Sequence, residues 1–219
     1  MKIARLNSDI ELFYSIQGEG VRAGTPAVFL RLAGCNLHCS WCDTQYSWGA
    51  GTEVPEAELA ARITAFKCNN LMLTCGEPLL QTAALELLLS LLPQHLFIEV
   101  ETNGTVPPSP ALLQRVNQWN VSPKLQHAGN AGRGIHTAAL AAFAATQRAW
   151  FKFVVRSAAD WPEIAALRLP QERIILMPCA TTTQALQNAR PAVVDLCLQQ
   201  HVRYGDRLHV AIWGDKKGV

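Results

Sequence analysis

Nowhere in its 219 residues does the chain hold an apolar run long enough to cross a membrane as a helix. The longest candidate, Leu85 to Leu92, is interrupted by Glu86 and Ser90 and closed by Pro93, which suits a buried helix. The first ten residues alternate charged and apolar side chains and contain no continuous signal-peptide core, so a cytoplasmic protein without a membrane partner is expected. Charge is also scarce. Only 16% of residues are charged, the formal net charge is +2, and the 19 basic residues form no run, which removes nucleic acid as a partner class. A disulfide framework is not expected either: in a reducing compartment, seven cysteines point to metal or catalytic use for those that cluster, and only three do.

With 49% hydrophobic residues the chain is globular, and its length suits one core and a single domain, 1–219. Its dominant pattern is strand then helix, repeated. Strands are expected at Pro26–Gly34, Leu71–Thr74, Leu96–Thr102, Val121–Pro123, Phe151–Val155, Arg173–Met177 and finally Arg207–Trp213. Helices are expected at Pro55–Phe66, Thr82–Leu92, Ala111–Gln118, Thr137–Gln147, Asp160–Leu167 and Thr183–Gln200, the last kinked or broken at Pro191. Such alternation implies an α/β fold with a parallel sheet. A full eight-unit barrel takes about 250 residues, so an incomplete, partly open β/α barrel is expected.

In these folds chemistry gathers where strands end. Cys35 follows the first strand, Cys75-Gly76-Glu77-Pro78 the second and Asn103-Gly104 the third, while Ser122-Pro123-Lys124 closes the fourth. One rim therefore collects the polar, Gly- and Pro-bearing segments.

The eight-residue segment Cys35-Asn-Leu-His-Cys39-Ser-Trp-Cys42 can wrap three thiolates around one soft metal centre. Structural zinc wants four protein ligands, as do ordinary ferredoxin clusters. His38 as a fourth ligand is disfavoured, because adjacent side chains such as His38 and Cys39 diverge in most backbone conformations. Three cysteines on a 4Fe–4S cluster leave one iron without a protein ligand, and chemistry occurs at such an open position.

The C-x3-C-x2-C spacing resembles that of radical S-adenosylmethionine (SAM) enzymes. Together with Ser15-Ile-Gln-Gly-Glu-Gly20, Cys42-Asp-Thr44, Gly76-Glu-Pro78, Glu101-Thr-Asn-Gly104 and Ser122-Pro-Lys124, it resembles the 7-carboxy-7-deazaguanine synthase family, over residues 15 to 124. The resemblance implies the radical SAM partial barrel, a 4Fe–4S cluster on Cys35, Cys39 and Cys42, and SAM chelating the open iron. It also implies a lyase activity: 6-carboxy-5,6,7,8-tetrahydropterin becomes 7-carboxy-7-deazaguanine, a queuosine precursor, with loss of ammonia after hydrogen abstraction at C6. A flavodoxin or ferredoxin electron donor and a homodimer are implied as well.

By the same resemblance, Trp41, Cys42, Asp43, Gly76, Glu77, Glu101, Ser122, Pro123 and Lys124 bind SAM. Trp41 covers the cluster or adenine, or simply packs; Glu101 meets ribose hydroxyls or pairs with a neighbouring base. Lys124 meets the cofactor's carboxylate or ribose, or is a solvated charge. Cys75 departs from the family, which has Gly there, so its side chain must point away from the cofactor or reshape the pocket. Ile16, Gln17 and Gly18 match the pterin-edge segment, Gly18 exposing backbone donors and acceptors. Arg31 faces the substrate carboxylate or forms a structural ion pair; Thr74 bonds substrate at its strand end. Thr44 matches the family's Mg²⁺ ligand, although residue chemistry alone makes it a loop cap. Val219, at the chain end, closes over substrate or belongs to a frayed tail. Two other readings compete: an activase that makes a glycyl radical on a protein partner, and a non-catalytic zinc-stabilised binding protein.

Overall fold

The computed structural model describes all 219 residues. Three two-residue strands come first, Lys2–Ile3 (β1), Arg5–Leu6 (β2) and Asp9–Ile10 (β3), followed by Leu12–Ile16 (β4) and Pro26–Arg31 (β5). Thr52–Glu53 (β6) pairs back onto β1. A strand–helix repeat then begins with helix Glu56–Ala65 (α1), strand Asn70–Thr74 (β7), helix Thr82–Leu91 (α2) and strand Phe97–Thr102 (β8). It continues through Pro110–Arg115 (α3), Gln118–Val121 (β9), Thr137–Ala145 (α4), Ala149–Val155 (β10) and Trp161–Ala166 (α5). Ile174–Pro178 (β11), Thr183–Gln200 (α6), Arg203–Tyr204 (β12) and Leu208–Trp213 (α7) complete the chain.

Eight strands form the main sheet in the order β12-β11-β10-β9-β8-β7-β5-β4. Every neighbouring pair is parallel except β4 with β5. Strands β4 and β12 stay at opposite edges, so the sheet curls into an open barrel, as expected for the radical SAM type.

Side-chain alternation explains why one face is a core and the other a site. Val28 and Leu30, Leu71 and Leu73, Ile98 and Val100, Trp119 and Val121, and Phe151 and Phe153 point outward into one apolar cluster beneath the helices. Their neighbours Arg31, Thr74, Glu101, Ser122, Lys152 and Val154 line the concave side. Arg22 bridges β7 and β8. Its guanidinium donates to Glu99 at 2.8 Å and Asn70 at 2.7 Å, and Gln118 and Asn120 also donate to the Glu99 carboxylate. A carboxylate buried there is tolerable only because it is paired.

Three expectations are corrected, and one strand is added to them. Arg207–Trp213 is not the last strand; the seventh parallel strand is Arg203–Tyr204, and Leu208–Trp213 is a helix that buries Val210 against Leu186 and Ala180. A short apolar run does not reveal its period, which is why this segment misleads. Helix α3 ends at Arg115, and the residues from Gln118 form β9, earlier than the expected strand at Val121–Pro123. Helix α6 continues through Pro191 without a break. Pro191 and Gln187 are both exposed, so the carbonyl that Pro191 leaves without a donor faces water. The antiparallel strand β4 was not expected at all.

Candidate active site

The cysteine loop leaves the rim directly after β5. Gly34 turns the chain there at φ +87°, and residues 126–135 clasp the loop from the side. Ser40 N–H donates to the Ala128 carbonyl at 3.0 Å and His38 N–H to the Asn130 side-chain oxygen at 2.9 Å. Cys35, Cys39 and Cys42 pack with Leu37, Ala128 and Trp41 in a small apolar cluster. Burial pushes the Cys35 thiol up to about 11 and raises Cys42 as well. All seven cysteines are free.

The turn after β7 holds the loop from the other side. A Cβ on Gly76 would lie 2.2 Å from the Gly34 carbonyl oxygen, and Glu77 N–H donates to that same oxygen at 2.8 Å. Gly76 is thus required by backbone packing against the cysteine loop. Glu77 departs from the expected role, because its carboxylate is fully buried and does not line the pocket. It accepts from Leu79 N–H at 3.0 Å, Thr102 hydroxyl at 2.7 Å and Asn103 N–H at 2.6 Å. Burial raises its pKa against those bonds. Glu77 braces two strand ends and is not available to an ammonium.

Beyond these turns, Lys124 donates to Ser122 Oγ at 2.8 Å and stands 5.5 Å from the Trp41 ring centroid. Pro123 lies between them but does not line the pocket. A belt of buried charge crosses the concave face. Lys152 donates to Glu19 and Glu101, each at 2.5 Å. Burial opposes its charge, but the two carboxylates outweigh that and hold its pKa above the ordinary lysine value. Arg207 divides its guanidinium among Glu19 at 3.0 Å, Asp43 and the Ala180 carbonyl. It thereby joins the cysteine loop to the C-terminal segment.

Ile16, Gln17, Gly18, Arg31, Thr74 and Val219 also line the same pocket. Here the expected backbone edge is mostly occupied within the fold. Gln17 N–H donates to Thr25 O and Gln17 O accepts from Gly24 N–H, both at 2.7 Å, while Gly18 O accepts from Leu208 N–H at 2.8 Å. Gly18 is glycine because a Cβ would sit 2.3 Å from His209 Nδ1. Arg31 Nε lies 3.1 Å from the Glu11 carboxylate without the angle of a hydrogen bond.

Residues 30–137 match the Radical SAM superfamily. The chain is 39% identical over 217 residues to the 7-carboxy-7-deazaguanine synthase of Pyrobaculum aerophilum, covering 95% of this chain and 96% of that one. The same enzyme of Halobacterium salinarum is 36% identical over 230 residues, covering 94% and 90%. The crystal structure of QueE from Escherichia coli superposes with a TM-score of 0.67 at 25% identity, covering 90% and 92%. The chain belongs to the 7-carboxy-7-deazaguanine synthase family.

A radical SAM enzyme of the 7-carboxy-7-deazaguanine synthase family carries a 4Fe–4S cluster and SAM, and the residues present fit both. Gln17 Nε2 and Trp41 Nε1 are buried polar atoms without a hydrogen-bond partner, Arg31 Nε has only the misaligned Glu11 carboxylate beside it, and all three residues line the pocket. Such donors suit a polar ligand bound among them. No trio of His, Cys, Asp or Glu is gathered tightly enough to hold a single metal ion. A cluster asks less of them, since each thiolate meets its own iron.

Sequence reasoning missed Glu19, Asn130, Lys152 and Arg207, and left His209 unassigned. One of these carried a signal: Lys152 in FKFVV is a charge between apolar strand residues, which marks an inward polar face. Cys75 lines the cavity with φ at +66°. A left-handed backbone is where glycine is comfortable, which accounts for the family's Gly. Cys75→Val is expected to cost about 1–2 kcal/mol, while Cys75→Gly stays within about 0.5 kcal/mol. Urea unfolding of the two variants checks this, and equal losses in both would contradict it.

Proposed function

We propose that this chain converts 6-carboxy-5,6,7,8-tetrahydropterin to 7-carboxy-7-deazaguanine, releasing ammonia, on the queuosine precursor route. The observation that carries the reading is the three-thiol loop at the rim of a concave pocket whose buried donors await a polar ligand. Cys35, Cys39 and Cys42 hold the cluster. When bound, the cluster and SAM supply one-electron cleavage of a C–S bond and, with it, hydrogen abstraction. The protein's part is to orient the reactants and exclude water.

On the cofactor side, Trp41 covers the adenine or cluster with its face, and Asp43, held by Arg207, fixes the loop beside Cys42. Gly76 brings backbone close, Ser122 and Lys124 offer a hydroxyl and an ammonium, and Glu101, oriented by Lys152, accepts from ribose hydroxyls. On the substrate side, Arg31 pairs with the pterin carboxylate, and burial of that guanidinium is outweighed by its anionic neighbours, so it stays charged. Gln17 Nε2 donates to the pterin edge, Thr74 bonds at the strand end, and Val219 closes the same wall over the substrate. Ile16 and Gly18 shape the wall.

Thr44 completes a Mg²⁺ site with substrate and water oxygens, since Mg²⁺ commonly takes few protein ligands. Its hydroxyl lies 3.5 Å from Cys42 Sγ, at the end of the cysteine loop. Thr44→Ala is expected to raise the Mg²⁺ concentration for half-maximal turnover severalfold, with iron content and cluster absorption unchanged. An unaltered Mg²⁺ dependence removes Thr44 from the metal site.

A flavodoxin or ferredoxin as reductant, a homodimer and a cytoplasmic location belong to the same reading. No helix is long and apolar enough to cross a membrane. Anaerobic incubation of cluster-loaded protein with the carboxypterin, SAM, Mg²⁺ and reductant, followed by mass analysis, tests the activity. Product lighter by ammonia supports it; unchanged carboxypterin with intact cluster overturns it.

A further inference from the structure

Each cluster cysteine has one hydrogen-bond partner at its sulfur. Leu37 N–H donates to Cys35 Sγ at 3.4 Å, and Cys42 Sγ shares a bond with Thr44 Oγ1 at 3.5 Å. Both partners lie inside the cysteine loop and move with it. The third comes from elsewhere: Asn130 Nδ2 donates to Cys39 Sγ at 3.2 Å, across ninety-one residues of sequence.

Asn130 is built to make that bond. The residue is 4% exposed. Its side-chain oxygen accepts from His38 N–H at 2.9 Å, which fixes the amide orientation and leaves Nδ2 toward the sulfur. Its carbonyl accepts from Arg133 N–H at 3.0 Å, and the adjoining Ala128 carbonyl accepts from Ser40 N–H, so the backbone is anchored independently of the side chain. A buried amide with both ends committed has a single rotamer to offer.

We propose that Asn130 is a positioning residue that sets the cluster's reduction potential through Cys39. A hydrogen bond to a cluster thiolate favours the reduced, more negative state and raises the potential. The step concerned is addition of one electron to the oxidised cluster from a low-potential one-electron reductant, with no bond made or broken. By easing that step, Asn130 keeps the cluster within reach of such a reductant. The inference rests on the cluster reading above.

The test is a mediated redox titration of cluster-loaded protein, followed by electron paramagnetic resonance, with iron and sulfide measured in parallel. Asn130→Leu removes both bonds, and Asn130→Asp keeps the acceptor for His38 N–H while removing the amide donor. Both are expected to load the cluster and to lower its reduction equilibrium constant about tenfold, which is about 59 mV for a one-electron couple. Asn36→Ala alters a loop residue that bonds Thr105 and Asn103 but no sulfur, and should leave the midpoint in place. An unmoved midpoint in loaded Asn130→Leu overturns the proposal. So does an equal shift in Asn36→Ala, or failure of both Asn130 variants to load, either of which assigns Asn130 to loop assembly instead. If the unmodified protein loads no 4Fe–4S cluster, it is the cluster reading that fails.

Discussion

Cys35→Ala, Cys39→Ala and Cys42→Ala each reduce SAM cleavage to background and leave the protein without a stable 4Fe–4S cluster, whereas Cys68→Ala and Cys197→Ala retain both. The first three thiols share one apolar cluster at the rim, with Trp41 and Leu37 around them. Removing any one leaves two thiolates, too few to hold a cluster that already lacks a fourth protein ligand. Cys68 and Cys197 sit elsewhere, donating weakly to carbonyls of Pro26, Asn70 and Arg203. Cys197 is buried in the main core, so its alanine variant loses a little packing but no ligand. Iron and sulfide analysis with 5′-deoxyadenosine measurement checks all five variants. Full activity in any of the first three contradicts the assignment.

Lys152→Met is expected to destabilise the fold by about 3–5 kcal/mol, the cost of leaving buried charge without its partner. Lys152 is only 2% exposed and lies between Glu19 and Glu101. Without its ammonium, only Arg207 and the imidazole of His209 face Glu19, and Glu101 has no cation. Burial on its own raises the Glu19 pKa; Lys152, Arg207 and His209 together reverse this and hold it well below the ordinary carboxylate range. Removing Lys152 takes away the largest of those opposing influences. Lys152→Met combined with Glu101→Gln deletes the cation and one anion together, and should recover part of the loss. Urea unfolding of the cluster-free protein reads both. A Lys152→Met loss below about 1 kcal/mol would show that water reaches the pair and screens it.

Much of this arrangement is legible in the sequence because it is local. The cysteine loop, the turn at Gly76 and the segment Ser122 to Lys124 each bring their chemistry within a few residues. The strand–helix alternation then places them at one rim, where the structure has them. Arg207 is not legible in that way. Its partners Glu19 and Asp43 are 188 and 164 residues distant, and only the curl of the sheet brings the C-terminal segment beside them. Glu77 misleads for a related reason: its motif suggests a ligand, whereas burial and three donors make it a brace. The edge strand β4 escapes because its five residues, interrupted by Ser15, are too few to display an alternation. Helix α7 escapes because six residues are too few to display a helical period.

A carboxytetrahydropterin carrying deuterium at C6 gives the most direct measurement. Cluster-loaded protein is mixed anaerobically with this substrate, unlabelled SAM, Mg²⁺ and reductant for a single turnover, and the adenosyl carbon is recovered for mass analysis, whether as 5′-deoxyadenosine or as SAM. If the pocket holds the C6 position against the cofactor, deuterium enters that adenosyl carbon as 7-carboxy-7-deazaguanine forms. Formation of the product with an adenosyl group free of deuterium would contradict it.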